Sequence, residues 1–411
     1  MKCADFQSVL RGSVGLFCLT GAAARAEETP AFQEQKTEKK EKEKHSFCDP
    51  EDGAFDVSSF LDRPLGFIPM VLPITEPAVG GGAAVAPIFI DLPEDGEGRP
   101  DIWAIGGMRT SNGTQALLGG YSGYWMDQRL HTRLGAIDAS INLDFHGLGQ
   151  DAGLSGQPLT YNLDIAGGLI GATWAMDKKR RWEIGLQYMY AQVDMTFPDL
   201  ASRIRVDADP RGTKYGLNRG QLRDFDGFHS EIGSVGLSMS YDSRNNIFTP
   251  TKGLFSELTV TFNSEAFGGS SEYERYEWTT LWFTPLFTED LILGMKASLL
   301  SSSGDIPIYM RPFVQLRGAP AMRYQGAHVA YAETELRYQF TPRWSVLGFG
   351  GIGSTWSDGP FLSRNDTTWT GGVGIRYLLA RKYGLHMGID AAYGEEGPAC
   401  YIQFGSAWFR P

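Results

Sequence analysis

The residue types that carry most enzyme chemistry are present in this chain, but their spacing matches no catalytic or metal site. Five histidines beyond residue 50 lack the spacing of metal ligands and are better explained as ordinary polar residues on the wall of a fold: His131, His146, His229, His328 and His386. No G-x-S-x-G segment occurs, so the nucleophile elbow of lipases is absent. Residues 348–353 spell G-x-G-x-x-G, but a strand pattern continues through them and no helix follows, as dinucleotide binding requires. The sequence therefore predicts no enzyme, no cofactor and no metal site.

Charged side chains instead recur at every second position of candidate strands. Glu333, Glu335 and Arg337 share one face of their strand by period-2 parity, and Asp390 lies on the polar face of another strand. A carboxylate can bind a guanidinium through two parallel hydrogen bonds, so faces of this kind can hold an arginine. Such charges need an enclosed polar face, which the lumen of a barrel provides.

The elements that must position these charges are long alternating strands. In the clearest of them, an apolar residue at every second position from Val235 to Tyr241 alternates with serine or glycine. The pattern predicts sixteen strands between residues 67 and 408, many of them ~10–15 residues long, whereas strands of soluble proteins are usually ~5–6. An even number of strands is typical of bacterial outer-membrane barrels. We therefore expect an all-β, sixteen-stranded antiparallel transmembrane barrel.

The connections between the predicted strands alternate in length. Tight turns are predicted at 126–128, 176–179, 287–288, 341–342 and 378–382, and long connections at 145–157, 195–227, 302–327 and 355–365. Short turns at one end and long outer loops at the other are the arrangement of an outer-membrane barrel. Tryptophans recur toward strand ends, as in interfacial girdles: Trp125, Trp174, Trp182, Trp278, Trp282 and Trp344.

Composition and charge narrow the class of protein further. The 411-residue chain contains 51 glycines and has a mean hydropathy of −0.23. A helical multi-span protein is excluded, since it needs several apolar runs of ~20 residues. Residues 1–26 are predicted to be an export signal ending in Ala24-Arg25-Ala26, and 27–66 a charged periplasmic tether and pre-barrel segment. The signal carries a net charge of +2, so the remainder has −13 rather than −11, which argues against nucleic acid as a partner.

One twelve-residue segment carries a recognisable turn. Residues 242–253 read DSRNNIFTPTKG and follow the pattern D-x-R-x-x-x-F-x-P-x-x-G, with Asp242, Arg244, Pro250 and Gly253 at its fixed positions. Proline and glycine shape the turn between two long strands.

Other segments follow in a fixed order around this turn. Leu316-Arg317-Gly318 lies in the connection 302–327, and Glu335 occurs in the strand after it. Residues 69–82 and 400–408 match an opening and a closing strand. Together the motifs resemble the BamA/TamA outer-membrane assembly superfamily, the bacterial surface antigen barrels, over residues 67–411. The resemblance implies a barrel, residence in the outer membrane of a Gram-negative bacterium, and work on outer-membrane or secreted proteins.

Two departures from the family pattern matter. Members usually carry POTRA domains before the barrel. Each has ~75 residues or more, longer than the smallest domains of ~50 residues. Residues 27–66 are too few for one. We therefore expect a short member without POTRA domains. Gly351 stands where the family has the aspartate of F-x-D-x-G.

The resemblance also implies a role for the loop arginine. In the family this arginine folds into the lumen and pairs with acids on the inner wall, which assigns Arg317 to Glu333, Glu335 and Asp390. Because Gly351 replaces the family's usual aspartate, Glu335 is the first-choice partner of Arg317. The alternative is that Arg317 is a solvated loop residue.

The barrel must close between its first and last strands. Pro69 and Pro73 lie in the first strand and lack backbone N–H groups, so this seam forms fewer ladder hydrogen bonds. On the other side of the seam, the predicted last strand, 399–408, contributes the aromatic residues Phe404 and Trp408. The seam is either a lateral gate or a short, irregular closing strand, and the sequence favours neither.

Two functions remain open at this level. The first is outer-membrane biogenesis, through insertion or export of proteins, with outer-membrane lipids and unfolded outer-membrane or secreted proteins as partners. The second is a passive or ligand-conducting pore in which 302–327 is only a plug. An enzyme built on the barrel wall is a third alternative, but no serine–histidine pair stands out.

Overall fold

The computed structural model describes residues 48–61, 67–91, 101–145, 159–198, 227–356 and 366–408. The predicted export signal and the first part of the predicted tether lie outside these ranges. Within the described ranges, no helix has the length and apolarity needed to cross a membrane.

Sixteen antiparallel strands form one sheet in strict sequence order, which confirms the prediction. They are β1 (Phe67–Ile74), β2 (Gly82–Asp91), β3 (Asp101–Thr110), β4 (Gln115–Trp125), β5 (Leu130–Phe145), β6 (Leu159–Ala175), β7 (Trp182–Thr196), β8 (Phe228–Asp242), β9 (Gly253–Asn263), β10 (Tyr273–Leu286), β11 (Thr288–Gly304), β12 (His328–Gln339), β13 (Trp344–Trp356), β14 (Asp366–Ala380), β15 (Leu385–Gly394) and β16 (Gly397–Phe404). One helical turn, α1 (Ser58–Leu61), precedes them, and 3₁₀ turns occur at Glu265–Phe267, Ile308–Met310 and Arg381–Tyr383.

Tight turns set the first residue of β2 and the last residue of β16, the strand predicted over 399–408. Gly80 has φ +77° in a turn in which Val79 donates its N–H to the carbonyl of Glu76, so β2 begins at Gly82. At the other end of the chain, Gly405 has φ +78° and ends β16 at Phe404. A positive φ of this size is readily adopted only by glycine.

The buried face of the sheet carries charged residues and the exposed face carries apolar ones, which is the reverse of a soluble protein. Along β12 the charged Glu333, Glu335 and Arg337 are buried, while the apolar Leu336 and Tyr338 are 43% and 49% exposed. Charges inside and apolar groups outside are the pattern of a membrane barrel with a polar lumen. The six tryptophans predicted for the girdles are all exposed.

The barrel has a short-turn end and a long-loop end. The short-turn end carries the connections 126–129, 176–181, 340–343 and 381–384, and the loop after β11 lies at the other end. At the short-turn end, the connection 243–252 folds across the opening. Asn246 Nδ2 donates to the Tyr383 carbonyl at 2.8 Å, and the Ser406 N–H donates to the Phe248 carbonyl at 2.6 Å.

The strand order makes a testable statement about topology. A protease tag inserted after Gly212, in the connection between β7 and β8, should be cleaved on intact cells. A tag after Lys179, in a short turn, should be cleaved only after the outer membrane is permeabilised, because successive connections lie at opposite ends of an antiparallel sheet. Immunoblotting of the fragments measures both, and the opposite labelling would invert the barrel.

Candidate functional site

The loop between β11 and β12 enters the barrel and turns at Leu316-Arg317-Gly318. The N–H of Ala319 donates to the carbonyl of Leu316 at 3.1 Å, which closes the turn, and Gly318 has φ +98°. The Gly318 N–H donates to Tyr401 Oη on β16 at 3.0 Å. A side chain at Gly318 would therefore be strained and would lie 3.3 Å from Ala392 and Thr370 on the wall. This position allows only glycine without rearrangement.

The side chain of Arg317 lies among three carboxylates, those of Glu333, Glu335 and Asp390, which together with it are called the cage. Its Nη2 lies 2.6 Å from Glu333 Oε1, and its Nε donates to the same oxygen at 2.9 Å. Its Nη1 lies 2.9 Å from Glu335 Oε2 and 2.8 Å from Asp390 Oδ2. The Arg317 backbone N–H also donates to Glu333 Oε2 at 3.1 Å. Two strands that are far apart in the sequence, β12 and β15, thus bind one loop residue.

Two carboxylates of the cage, Asp390 and Glu333, have a further partner, and the guanidinium of Arg317 lies against a ring. Asp390 accepts from Arg376 on β14 through both oxygens, at 2.5 and 2.8 Å. Glu333 Oε1 accepts from Trp408 Nε1 at 2.7 Å. The Phe349 ring lies flat against the guanidinium, with Arg317 Cζ 3.7 Å from the ring centroid. Charge-assisted hydrogen bonds and a cation–π contact therefore orient Asp390, Glu333 and Arg317.

The cage is buried and balanced in charge. Asp390, Glu333 and Arg317 are 0%, 2% and 7% exposed, respectively. With Glu335, Arg376 and Arg337 it contains three acids and three arginines on the lumen side of β12, β14 and β15. A buried charge is tolerated only when it is paired and hydrogen-bonded. Removal of one member therefore leaves an uncompensated charge in the middle of the barrel.

Apolar packing holds the rest of the loop. Val314, Leu316 and Tyr324 form a buried cluster with Val329 and Tyr331 of β12. Farther up the loop, Ile308, Tyr309 and Met310 pack against the buried cluster on the lumen face of β6 to β8. The loop therefore contacts two separate walls of the barrel, at β12 and at β6 to β8.

The tip of the loop also contacts both sides of the seam. The Ala321 N–H donates to Glu76 Oε1, just after β1, at 3.0 Å. Arg323 Nε donates to Glu396 Oε1, just before β16, at 2.7 Å. One short loop segment therefore links the two strands that must meet to close the barrel.

No backbone pairing joins β1 and β16 in the described residues. The sheet begins with β1 and ends with β16, and every other neighbouring pair forms a ladder. Pro69 and Pro73 pair only with Pro87 and Ala83 of β2. Phe404 pairs with Met387 of β15. The seam is thus an open contact between two strand edges.

The sequence predicts Trp408 at the seam, but in the structure Trp408 lies away from it. The turn at Gly405 ends β16, and the chain then bends into the lumen, where Trp408 packs with Phe255, Leu281 and Phe283. Its indole N–H reaches Glu333. The pattern of alternating residues continued to 408, so it could not show that the strand stops earlier.

The turn motif forms a self-contained structure at the short-turn end. Arg244 Nη2 lies 2.8 Å from Asp242 Oδ2, and its guanidinium stacks over Phe255 at 4.5 Å. Gly253 has φ +112°, and a Cβ there would lie 2.4 Å from the Ser243 carbonyl. The Pro250 carbonyl accepts from Arg337 Nη2 at 3.1 Å. The motif therefore ties the turn to the same arginine-rich wall that faces the cage.

The sequence anticipated the members of the cage only in part. Glu333 rather than Glu335 makes the shortest contact with Arg317. Gly351, where the family has an aspartate, faces Leu316, whose Cδ2 would lie 2.8 Å from an added Cβ. Arg376 and Trp408 were not expected at the site. In β14, Arg376 lies two residues from Gly374, which pairs with Asp390. Residues two apart share a face of a strand, and this is a signal that could have identified Arg376.

A comparison with known protein families gives a match. A family model described as the Omp85 superfamily domain matches residues 100–314, slightly more than half of the chain. None of the curated proteins compared with the chain matches it.

Solved structures with a similar fold include three outer-membrane barrels. BamA from Haemophilus ducreyi lacking POTRA domains 1–3 has a TM-score of 0.55 at 11% identity, over 82% of this chain and 68% of that one. CdiB from Acinetobacter baumannii has 0.54 at 9%, over 83% and 60%. CdiB from Escherichia coli has 0.52 at 12%, over 83% and 59%. At these identities the likeness is one of fold, and the chain spans less than two thirds of either CdiB.

Replacement of the cage arginine tests the site. Arg317→Ala should lower the free energy of unfolding by about 3–5 kcal/mol, because it leaves buried carboxylates unpaired, and should raise single-channel conductance by freeing the loop. Glu333→Gln should act in the same direction, and the double variant should be less than additive because both changes remove one interaction. Denaturant titration and planar-bilayer recording measure the two effects.

Arg275→Ala is the matched control. Arg275 lies on β10, outside the cage strands, and has a partly exposed partner, Glu277, at 3.5 Å. Its loss should change stability by about 0–1 kcal/mol. Strict additivity of Arg317→Ala and Glu333→Gln, with unchanged conductance, would show that the cage does not hold the loop.

Proposed function

The chain belongs to the Omp85 superfamily, and on that premise we propose that it inserts or exports proteins across the outer membrane of a Gram-negative bacterium. Its partners in this role are the outer-membrane lipids around the barrel and unfolded outer-membrane or secreted proteins. The short-turn end faces the periplasm and the long-loop end faces the outside.

The unpaired seam is the observation that carries the proposal. A barrel normally abolishes its edges, because unpaired backbone groups in hydrocarbon cost several kcal/mol each. Among the described residues, β1 and β16 each keep one unpaired edge, although every other strand of the sheet is laddered on both sides. A free strand edge is a template on which another extended chain can add by backbone hydrogen bonding. An incoming strand is the partner that such an edge fits.

The loop held inside the lumen supports the same function over passive conduction. The loop holds Arg317 in a buried cage and contacts two separate walls, and the connection 243–252 covers the short-turn end. A resting pore needs an open path, whereas a protein that works at its seam does not.

A pore that opens when the loop leaves the lumen is the second candidate. The observation that favours it is the loop's attachment, which is polar at its centre and therefore releasable as a unit. The two candidates differ in which part of the barrel must move.

Cross-linking across the seam separates them. Cys400 is a free, exposed thiol on β16, and Val71 on β1 is exposed as well. Val71→Cys is combined with native Cys400 in a background in which the other cysteines are serine. After treatment with a short bis-maleimide, liposomes that contain the protein should no longer accelerate the folding of a small unfolded outer-membrane barrel. Untreated protein should keep that activity.

The control is Val71→Cys with Cys400→Ser, which takes up the reagent without bridging the seam and should keep the activity. Unchanged acceleration in the cross-linked protein would overturn the seam as the working part. Ion conductance that survives cross-linking, without any acceleration of folding, would favour the pore.

A further inference from the structure

The lumen side of β4, β5 and β6 carries three exposed apolar side chains. Leu118, Ile137 and Leu169 are 41%, 38% and 44% exposed, respectively. The interior of an outer-membrane barrel is ordinarily polar, and an exposed apolar patch on a protein usually marks a binding surface. These three side chains are called the lumen patch, and they need an explanation that the charged wall at β12 does not.

The contacts of β6 place Leu169 on the inside of the barrel. Ile165 of β6 packs against the buried cluster that residues 308–310 of the loop also contact, so this side of β6 faces the lumen. Leu169 follows four residues later, and residues an even number apart lie on one face of a strand. Its neighbour Ile170 lies on the other face and is 55% exposed. Leu169 therefore faces the lumen, whereas Ile170 faces the bilayer.

Strand pairing places the other two side chains on the same inner face. Leu169 pairs with Gly135 of β5, where an added Cβ would lie 3.3 Å from Leu169 Cγ. Ile137, two residues after Gly135, pairs with Leu118 of β4 and with Gly167 of β6. Directly paired residues of an antiparallel sheet share a face. The lumen patch is thus one apolar surface that crosses three strands.

A row of polar groups borders the lumen patch on the side of the short-turn end. Arg133, two residues before Gly135, pairs with Ser122 of β4 and Gly171 of β6. A Cβ at Gly171 would lie 3.9 Å from Arg133 Nε, so the arginine side chain lies over β6. Gln187 of β7 pairs with Gly171 and continues the row.

Arg133 brings an uncompensated positive charge to this row. Its side chain is exposed, and no carboxylate of the described residues pairs with it. The lumen-facing positions of β4, β5 and β6 hold no aspartate or glutamate in the part of these strands that the structure describes. An arginine stays charged at every working pH, and its planar guanidinium matches a carboxylate or a phosphate. The row therefore suits an anionic group.

The spacing of the charge and the lumen patch matches one acyl chain. Ile137 lies four residues after Arg133 on β5, which is ~13 Å at ~3.3 Å per residue. The hydrocarbon core of a bilayer is ~30 Å thick and two acyl chains deep, so one chain spans ~15 Å. A chain that lies along the lumen patch would place its head group beside Arg133.

The pairing of the wall favours an acyl chain over a polypeptide. The strands β4, β5 and β6 are each paired on both sides, so the wall offers no free backbone edge. An extended polypeptide on the lumen patch would leave its backbone N–H and C=O groups without partners there. An acyl chain has no polar group along its length, and burial of its surface is favourable.

We propose that the lumen patch and Arg133 form a binding site for a single acyl chain with an anionic head group. Leu118, Ile137 and Leu169 cover the chain, and the Arg133 guanidinium binds the carboxylate or phosphate of the head group by charge-assisted hydrogen bonds. Gln187 lies in the same row and offers the head group an amide. The site goes beyond the proposed function, since it requires neither an open seam nor a polypeptide client.

Photo-cross-linking of the full chain in bilayer nanodiscs tests the site. One arm uses a palmitic acid analogue with a diazirine in its chain, and the other uses a phosphatidylglycerol analogue with the same chain. Mass spectrometry of peptides separates adducts on Leu118 and Ile137 from adducts on the outward-facing Ile170. We expect saturable adducts on the lumen patch that an excess of the unlabelled lipid removes. The arm that labels at the lower concentration identifies the head group.

Two variants and a matched control assign the binding to these residues. Arg133→Gln should lower the adducts on Leu118 and Ile137 at least about tenfold at subsaturating probe, the effect of one lost charge-assisted hydrogen bond. Leu169→Asn should lower them as well, because it places an amide on the lumen patch. Ile170→Asn is the control: it changes the next residue of the same strand, on the opposite face, and should leave these adducts at the parent level.

The parent protein alone can overturn the proposal, so the test does not depend on the folding of a variant. Adducts confined to outward-facing residues in both arms would show that the lumen patch binds no acyl chain. Lumen adducts that Arg133→Gln and Leu169→Asn leave unchanged would also contradict it. If a photoreactive unfolded outer-membrane protein labels Leu118 and Ile137 and neither lipid does, the wall is a contact for polypeptide. None of these outcomes affects the cross-linking test of the seam.

Discussion

Arg317 brings a full charge into the middle of the barrel, and the arrangement around it follows from the need to neutralise that charge. Desolvation of a guanidinium is expensive, so it must be surrounded by acids that are themselves held in place. Glu333 and Asp390 come from β12 and β15, with two strands between them in the sheet, and each is fixed by a further donor, Trp408 or Arg376. The loop therefore has one well-defined position, because a partial shift would leave several buried charges unpaired.

This constraint has consequences at the seam. The loop that Arg317 anchors also reaches Glu76 and Glu396, on either side of the gap between β1 and β16. A barrel with a complete ladder needs no such links. At this seam, contacts made by a loop outside the strands join the two edges where no backbone ladder does in the described residues.

The strands were predictable and the long-range pairing was not. The period of two in β8 and the alternation of tight and long connections fix a sixteen-stranded barrel, because a strand's two faces meet different surroundings. The place of Arg317 followed from a motif, but its choice of Glu333 over Glu335 depends on a loop conformation that no local pattern encodes. The acids at 49–56 resemble a solvated charged segment, but Asp49, Asp52 and Asp56 bind Arg343, which lies almost 300 residues away. Nothing local to either residue announces the other.

An unpaired seam changes the energetics of strand addition. Each ladder hydrogen bond contributes a net ~0.5–1.5 kcal/mol in water, but an unmade one in hydrocarbon costs several times more. The free edges of β1 and β16 therefore hold the resting barrel at a higher free energy than a closed one, and the contacts of the loop with Glu76 and Glu396 balance part of that cost. An incoming strand that pairs with either edge recovers it without an external energy source. Under the proposed function, the polar contacts of the loop at the seam set when that exchange can begin, while the unpaired backbone supplies the reason for it to proceed.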